Sequence, residues 1–141
     1  MSVIIIICVF SCNLEPADSP EGETATIKIS FTIRAENTLS PIENAEAAVS
    51  AKATLNGTVK SFSEETEESN YSGAAAVTLS ETIEESIGDI SGSTPKLEIT
   101  ITCDGYESYS SQPYSRAFAW DEDSQEYISE YSQTVYLSPQ N

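Results

Sequence analysis

Apolar and polar residues alternate in this chain with a period of two, in several separate stretches. Over residues 97–103, Leu97, Ile99, Ile101 and Cys103 interleave with Glu98, Thr100 and Thr102. Over residues 26–34, Ile27, Ile29, Phe31 and Ile33 interleave with Lys28, Ser30, Thr32 and Arg34. Successive side chains of an extended backbone point to opposite sides, so each stretch has one greasy face and one wet face. A helix cannot use that spacing, because it scatters the apolar positions around the axis. A strand can, provided a second layer covers its greasy side. Pro95 precedes the 97–103 stretch, and Asp104-Gly105 closes it with turn chemistry.

The same pattern recurs along the chain. Ala45, Ala47, Val49, Ala51, Ala53 and Leu55 share one parity. Alanine also suits a helix, and no proline interrupts the run. The strict alternation and the closing Asn56-Gly57 favour a strand that turns into a partner over residues 58–62. The run with Glu64, Glu65, Glu67 and Glu68 reads as a solvated loop or edge, lacking the glycine and aspartate of a calcium loop. Ala75, Val77 and Leu79 place another strand at 74–80. Residues 82–90 break the period: Ile83, Ile87 and Ile90 fall at i, i+4 and i+7, which predicts one or two helical turns with Gly88 as a stop.

The last third is rich in tyrosine and serine. Residues 116–120 and 126–131 read as two arms of a hairpin around 121–125, and residues 134–137 as a final short strand with Val135 and Leu137 inward. Seven to nine short strands, one short helix and no alternation of strand with helix predict an all-β chain. Its architecture is a two-sheet antiparallel β-sandwich, Ig-like or prealbumin-like, since each strand has one face to hide.

Charge narrows the partners. The 141 residues carry 23 acidic and 6 basic side chains and no histidine, a net charge of −17. There is no basic stripe for phosphates, so nucleic acid is excluded as a partner, as is electrostatic docking on anionic lipid. Residues 3–10 are an uncharged apolar run, too short for a spanning helix of about 20 residues. The run resembles the apolar core of a secretory signal, without its basic leader. Val9-Phe10-Ser11-Cys12 resembles a bacterial lipobox. It implies a signal over 1–11 and a lipidated Cys12 that anchors the chain to a membrane. Pro16, Pro20 and Gly22 with Glu15, Asp18, Glu21 and Glu23 mark residues 12–24 as an acidic tether, leaving 25–138 for the sandwich. A buried N-terminal strand is the competing reading, but four consecutive isoleucines enter a polar linker without a turn, which fits it poorly. Asn13 after the cysteine resembles an outer-membrane address in a cell with two membranes. Cys103 remains as a small core residue on its strand's apolar face.

These residues resemble the carboxypeptidase regulatory-like, or transthyretin-like, sandwich domains. The resemblance rests on the first alternating strand, on Ser40-Pro41-Ile42 leading to Ala45 and Val49, and on Ser72-Gly73 ahead of Val77 and Leu79. It also rests on Leu97-Glu98-Ile99-Thr100-Ile101 with Gly105-Tyr106, and on Val135-Tyr136-Leu137. It implies a non-catalytic module of an exported protein, and with the lipobox-like start it implies a small envelope lipoprotein.

Catalytic chemistry is thin. Without histidine there is no Ser-His-Asp or Cys-His arrangement and no histidine metal site, and no cofactor is expected. A carboxylate-pair hydrolase is a remote alternative, needing two acids in one cleft. Asp121, Asp123 and Glu126 are the nearest approach to a cation site, although Glu126 occupies the position where a calcium loop has glycine. Two functions follow as expectations. In one, Trp120, Tyr114, Phe118 and Tyr127 present aromatic faces to a glycan or protein ligand. In the other, an exposed edge strand pairs with an envelope partner.

Overall fold

The computed structural model describes residues 21–140, which form eight strands in two four-stranded sheets. These are β1 (Glu21–Ala35), β2 (Glu46–Leu55), β3 (Thr58–Glu68), β4 (Ala74–Glu84), β5 (Lys96–Thr102), β6 (Tyr109–Ser111), β7 (Ala119–Asp121) and β8 (Glu126–Leu137). One sheet has the order β4-β1-β8-β7 and the other β3-β2-β5-β6. The expected all-β sandwich is therefore what the chain forms. The expected signal, Cys12 and most of the expected tether lie outside the described residues. Strand β1 begins at Glu21, inside the stretch that composition marks as tether.

Alternation decides which way each strand faces. In β1, Ala25, Ile27, Ile29, Phe31 and Ile33 are buried, while Lys28 and Ser30 between them are exposed. In β5, Leu97, Ile99 and Ile101 are buried between exposed Glu98 and Thr100. Strand β2 buries Ala47, Val49, Ala51, Ala53 and Leu55, so alternation prevails over alanine's helical preference. Each fully buried Ile, Leu or Phe contributes about 1.5–3 kcal/mol relative to exposure, and that burial holds the two layers together. Asn56-Gly57 turns β2 into β3 with positive φ at both residues (50° and 87°), the geometry that matches strand twist.

Strand β1 is the spine of its sheet. It pairs antiparallel with β4 and parallel with β8, from Thr24 opposite Glu126 to Ala35 opposite Leu137. Parallel pairing of the first and last strands sends both in the same direction. The start of β1 and the end of β8 therefore sit at opposite poles of the sandwich.

Four expectations change. The partner strand expected over residues 58–62 runs on to Glu68, so the glutamate-rich run takes the edge rather than the loop of its two expected places, with a bulge opposite Val49 and Ala51. Residues 82–84 extend β4, and only Glu85–Ile87 forms a single 3-10 turn. Residues 126–131 and 134–137 are one continuous strand, β8. Cys103 falls beyond the end of β5 and is half-buried at the rim, because Thr102 is the last paired residue there. Burial, and then the charge of Asp104, raise its thiol above the ordinary 9.0, so it is neither a full core residue nor an activated nucleophile.

Candidate functional site

A sandwich with two open sheets has four edge strands, and an unprotected edge offers unpaired N–H and C=O groups to any strand that approaches. Three of these edges carry a device against that. Strands β6 and β7 are three residues long, and β7 ends in Asp121. Strand β3 bears Glu64, Glu65, Glu67 and Glu68 and is kinked by its bulge. Strand β4 carries its charges, Glu81 and Glu84, and a register shift at its far end only, and its first seven residues have none of these. Its Ala74-Ala75-Ala76-Val77-Thr78-Leu79-Ser80 segment is seven residues without charge or proline, in unbroken register with β1 from Ser80 opposite Thr26 to Ala74 opposite Thr32. Ala75, Val77 and Leu79 are buried, while Ala74, Ala76, Thr78 and Ser80 are exposed and small.

The sequence shows that segment as neutral, but only the sheet order shows that it is an edge. Glu81 comes next at the core-facing parity, yet it turns sideways. Its carboxylate reaches Lys60 Nζ at 4.0 Å and accepts a bond from the Ser63 N–H at 3.5 Å.

The four expected ligand aromatics do not form one surface. Phe118 is 1% exposed, and its ring stacks on Phe62 at 6.1 Å with 23° between planes. Its backbone is fixed at both ends, donating to Ser93 O at 2.8 Å and accepting from Gly92 N–H at 3.0 Å. Tyr127 is 7% exposed and meets the half-buried Trp120 edge-on at 5.0 Å. Both Phe118 and Tyr127 fall at core-facing positions and have no face left to stack on a ligand. Trp120 donates its indole N–H to Glu122 at 2.7 Å, which fixes it at the hairpin turn. Tyr114 is 63% exposed, on the outer side of the other sheet, with Lys96 Nζ 5.8 Å from its ring centre.

The three carboxylates of the hairpin are likewise separate. Asp121 accepts from the Ser124 hydroxyl at 2.6 Å, Glu126 accepts from Thr26, and Asp123 is exposed. Among the described residues, no group of three or more His, Cys, Asp or Glu side chains comes together as a metal site.

Several polar side chains that face the interior are paired across the layers, whereas the buried Ser111 hydroxyl has no partner. Ser129 Oγ donates to Arg116 O at 2.6 Å and lies 2.5 Å from Ser115 Oγ. Gln133 donates to the Tyr109 hydroxyl and accepts from that of Tyr131, both at 2.7 Å. At the pole where β1 starts, Asp89 accepts from Ser91 N–H at 2.9 Å and from the Tyr127 hydroxyl at 3.2 Å. The bonds from Ser91 and then from Tyr127 hold its carboxyl below the ordinary 3.8, and the Ser124 hydroxyl does the same for Asp121. Burial first, and then Asp89, push the Tyr127 phenol above its ordinary 10.0.

A depressed carboxyl stabilises the fold above its unfolded pKa and loses that contribution as pH falls through the folded value. A raised phenol does the reverse, stabilising below its unfolded pKa and failing as pH rises through the folded one. The chain has no histidine, the side chain whose ordinary value lies nearest neutrality. The denaturant midpoint is expected to be flat between about pH 6 and 8 and to drop below about pH 4 and above about pH 10. A step near pH 6.5 would contradict this, and Asp89→Asn should flatten part of the acid limb.

No protein-family model matches the chain, and no curated protein sequence does. Solved structures share its layers. A 3-chlorocatechol 1,2-dioxygenase from Rhodococcus opacus aligns with TM-score 0.52 at 10% identity, over 89% of this chain and 64% of that one. This chain thus spans less than two thirds of that enzyme's length, and likeness at such identity shows the sandwich fold alone. An intradiol ring-cleavage dioxygenase from Tetranychus urticae aligns at 0.47 and 14% identity, over 82% of each chain. The C-terminal domain of the shaft pilin SpaA from Lactobacillus rhamnosus GG aligns at 0.43 and 15%, over 82% of this chain and 98% of that one. Those two scores add nothing to the fold assignment.

Proposed function

We propose that this chain is a non-catalytic module of the cell envelope, held by an acylated Cys12 and assembling through β4 with a second copy of itself. One observation carries the assembly reading: among the four edge strands of the described residues, β4 alone offers a long segment, residues 74–80, that is uncharged and in unbroken register. The strand also suits itself. If two copies run antiparallel with Val77 facing Val77, Thr78 of one copy faces Ala76 of the other, and Leu79 faces Ala75. Glu81 then faces Gly73 and Glu84 faces Asn70, so no acid opposes an acid along the seam. The buried parity of one strand continues into that of the other, which joins two four-stranded sheets into one. The net charge of −17 on each copy opposes the approach, and salt screens that repulsion.

Expressed whole, the wild type is expected in the membrane fraction and Cys12→Ala in the soluble one; a soluble wild type would remove the anchor. Sedimentation of the soluble form should show a dimer fraction that rises between about 50 and 500 mM salt. Ala76→Glu with Thr78→Glu sets glutamate against glutamate twice and should leave only monomer. Ala76→Lys with Thr78→Glu sets lysine against glutamate twice and should restore the dimer. A wild type that stays monomeric at every salt concentration, or a dimer indifferent to the glutamate pair, would overturn the assembly reading.

A further inference from the structure

We infer that the outer face of the second sheet carries a binding site for an acidic saccharide, a sugar bearing a carboxylate or a phosphate, built from Lys52, Lys96 and Tyr114. Lys52 on β2 and Lys96 on β5 are direct cross-strand partners, and both are exposed. Like charges in that relation repel. The arrangement stands out because the chain has 23 acidic side chains to neutralise 6 basic ones. Among the described residues the one ion pair within 4.0 Å is Lys60 with Glu81, so neither Lys52 nor Lys96 has a carboxylate at that distance. Glu98, two residues along β5 on the same face, is the nearest acid in the register and stands opposite Ser50. Two of the six cations are thus held side by side with no carboxylate within 4.0 Å among the described residues.

An aromatic wall stands next to them. Tyr114 forms a bridge with Lys96, flanked by the bonds Leu97 N–H to Pro113 O at 2.8 Å and Ser115 N–H to Pro95 O at 2.9 Å. Those three links fix the backbone under the ring, so its exposed face is set in place before a ligand arrives. Lys96, Lys52, Tyr114, Val59 and Thr94 line an open cavity of about 560 Å³. On the other side of the lysine pair, Ser50, Ser61, Phe62 and Glu98 line a second cavity of about 180 Å³. Both hollows are bounded by Lys52 and Lys96, which form the ridge between them.

The chemistry selects the ligand. Two adjacent ammonium groups neutralise one anionic group from two sides. An exposed tyrosine face beside them packs against the apolar C–H face of a sugar ring, and nearby Thr94 and Ser93 offer partners for hydroxyls. A planar or fully apolar anion would leave those hydroxyls unused, and a neutral sugar would leave the lysine repulsion unrelieved. The site lies on the sheet that does not contain β4, so it is independent of pairing there.

The test uses the whole chain carrying Cys12→Ala, titrated by calorimetry and by backbone amide NMR with trigalacturonic acid, with a sugar phosphate (glucose 6-phosphate) and with neutral maltotriose. Trigalacturonic acid or glucose 6-phosphate is expected to bind saturably and to shift Lys52, Lys96 and Tyr114. Whichever of the two binds names the anionic group, and if both bind, charge rather than its carrier is read. Lys52→Gln or Lys96→Gln is expected to weaken binding about three- to tenfold, and Tyr114→Ala by a similar factor. All three positions are exposed, so the variants keep the wild-type fold. Affinity should fall as salt rises, the opposite of the trend expected for pairing through β4. No saturation with either anion, equal binding of maltotriose, or lysine variants that bind like wild type would overturn the site.

Discussion

Phe118→Ala is expected to cost about 3–5 kcal/mol of folding stability, enough to threaten a single domain. The ring is 1% exposed and is stacked on Phe62 from the opposite sheet, while its own backbone ties the 90–93 loop to the chain entering β7. Truncation removes the ring's transfer energy and leaves a cavity between two layers that are each held by their own ladders and cannot collapse into it. Denaturant midpoints check this directly. A loss below about 1 kcal/mol would mean that Phe118 stands at the surface, as a binding residue would. Tyr114→Ala is the contrast, because an exposed ring should leave the midpoint within about 0.5 kcal/mol of wild type.

The second large effect comes from a residue without a side chain. Gly73 opens β4 with φ of 79°, and a Cβ there would lie 2.5 Å from Ile33 O and 3.2 Å from Pro41 Cβ. The Gly73 carbonyl also accepts the Ile33 N–H at 2.8 Å, so the backbones of β1 and the turn close on each other just where the methyl would go. Gly73→Ala is expected to cost about 2–4 kcal/mol, from the left-handed conformation, the collision and a weakened hydrogen bond. Gly57→Ala separates these causes. It has φ of 87° but nothing within 4 Å of the added atom, so it should show the conformational cost alone, about 1–2 kcal/mol. Equal losses at the two sites would mean that the contact at Ile33 O yields.

Where every core-facing residue is apolar, the strand is legible in sequence. That holds for β1, β2 and β5, and it gives their facing as well as their existence. It fails where one core-facing position is polar for a reason supplied by another part of the chain. Glu81 breaks the alternation of β4 because it turns out at the edge to Lys60 and Ser63, so Ile83 looks like the start of a helix rather than the end of a strand. Ser129 and Gln133 break β8 in the same way, and their partners Ser115, Arg116 and Tyr109 come from elsewhere in the chain. The aromatics of the last third show the same limit. Composition reveals that they are there, whereas the parity that buries Phe118 and Tyr127 emerges only with the ladder. Lys52 and Lys96 lie 44 residues apart and become neighbours solely through the β2–β5 register.

Tension gives the parallel pairing of β1 and β8 its meaning. A chain held at its N-terminus and pulled at the far pole, where β8 ends, draws these two strands past each other along their length. Every rung from Thr24–Glu126 to Ala35–Leu137 then bears load together, as in a lap joint in shear. A hairpin pulled from its open end gives way one rung at a time instead. For the anchored module proposed above, this topology would place the joint that must hold at the core of the sandwich, between two central strands of one sheet, with the edge strands β4 and β7 outside the line of force.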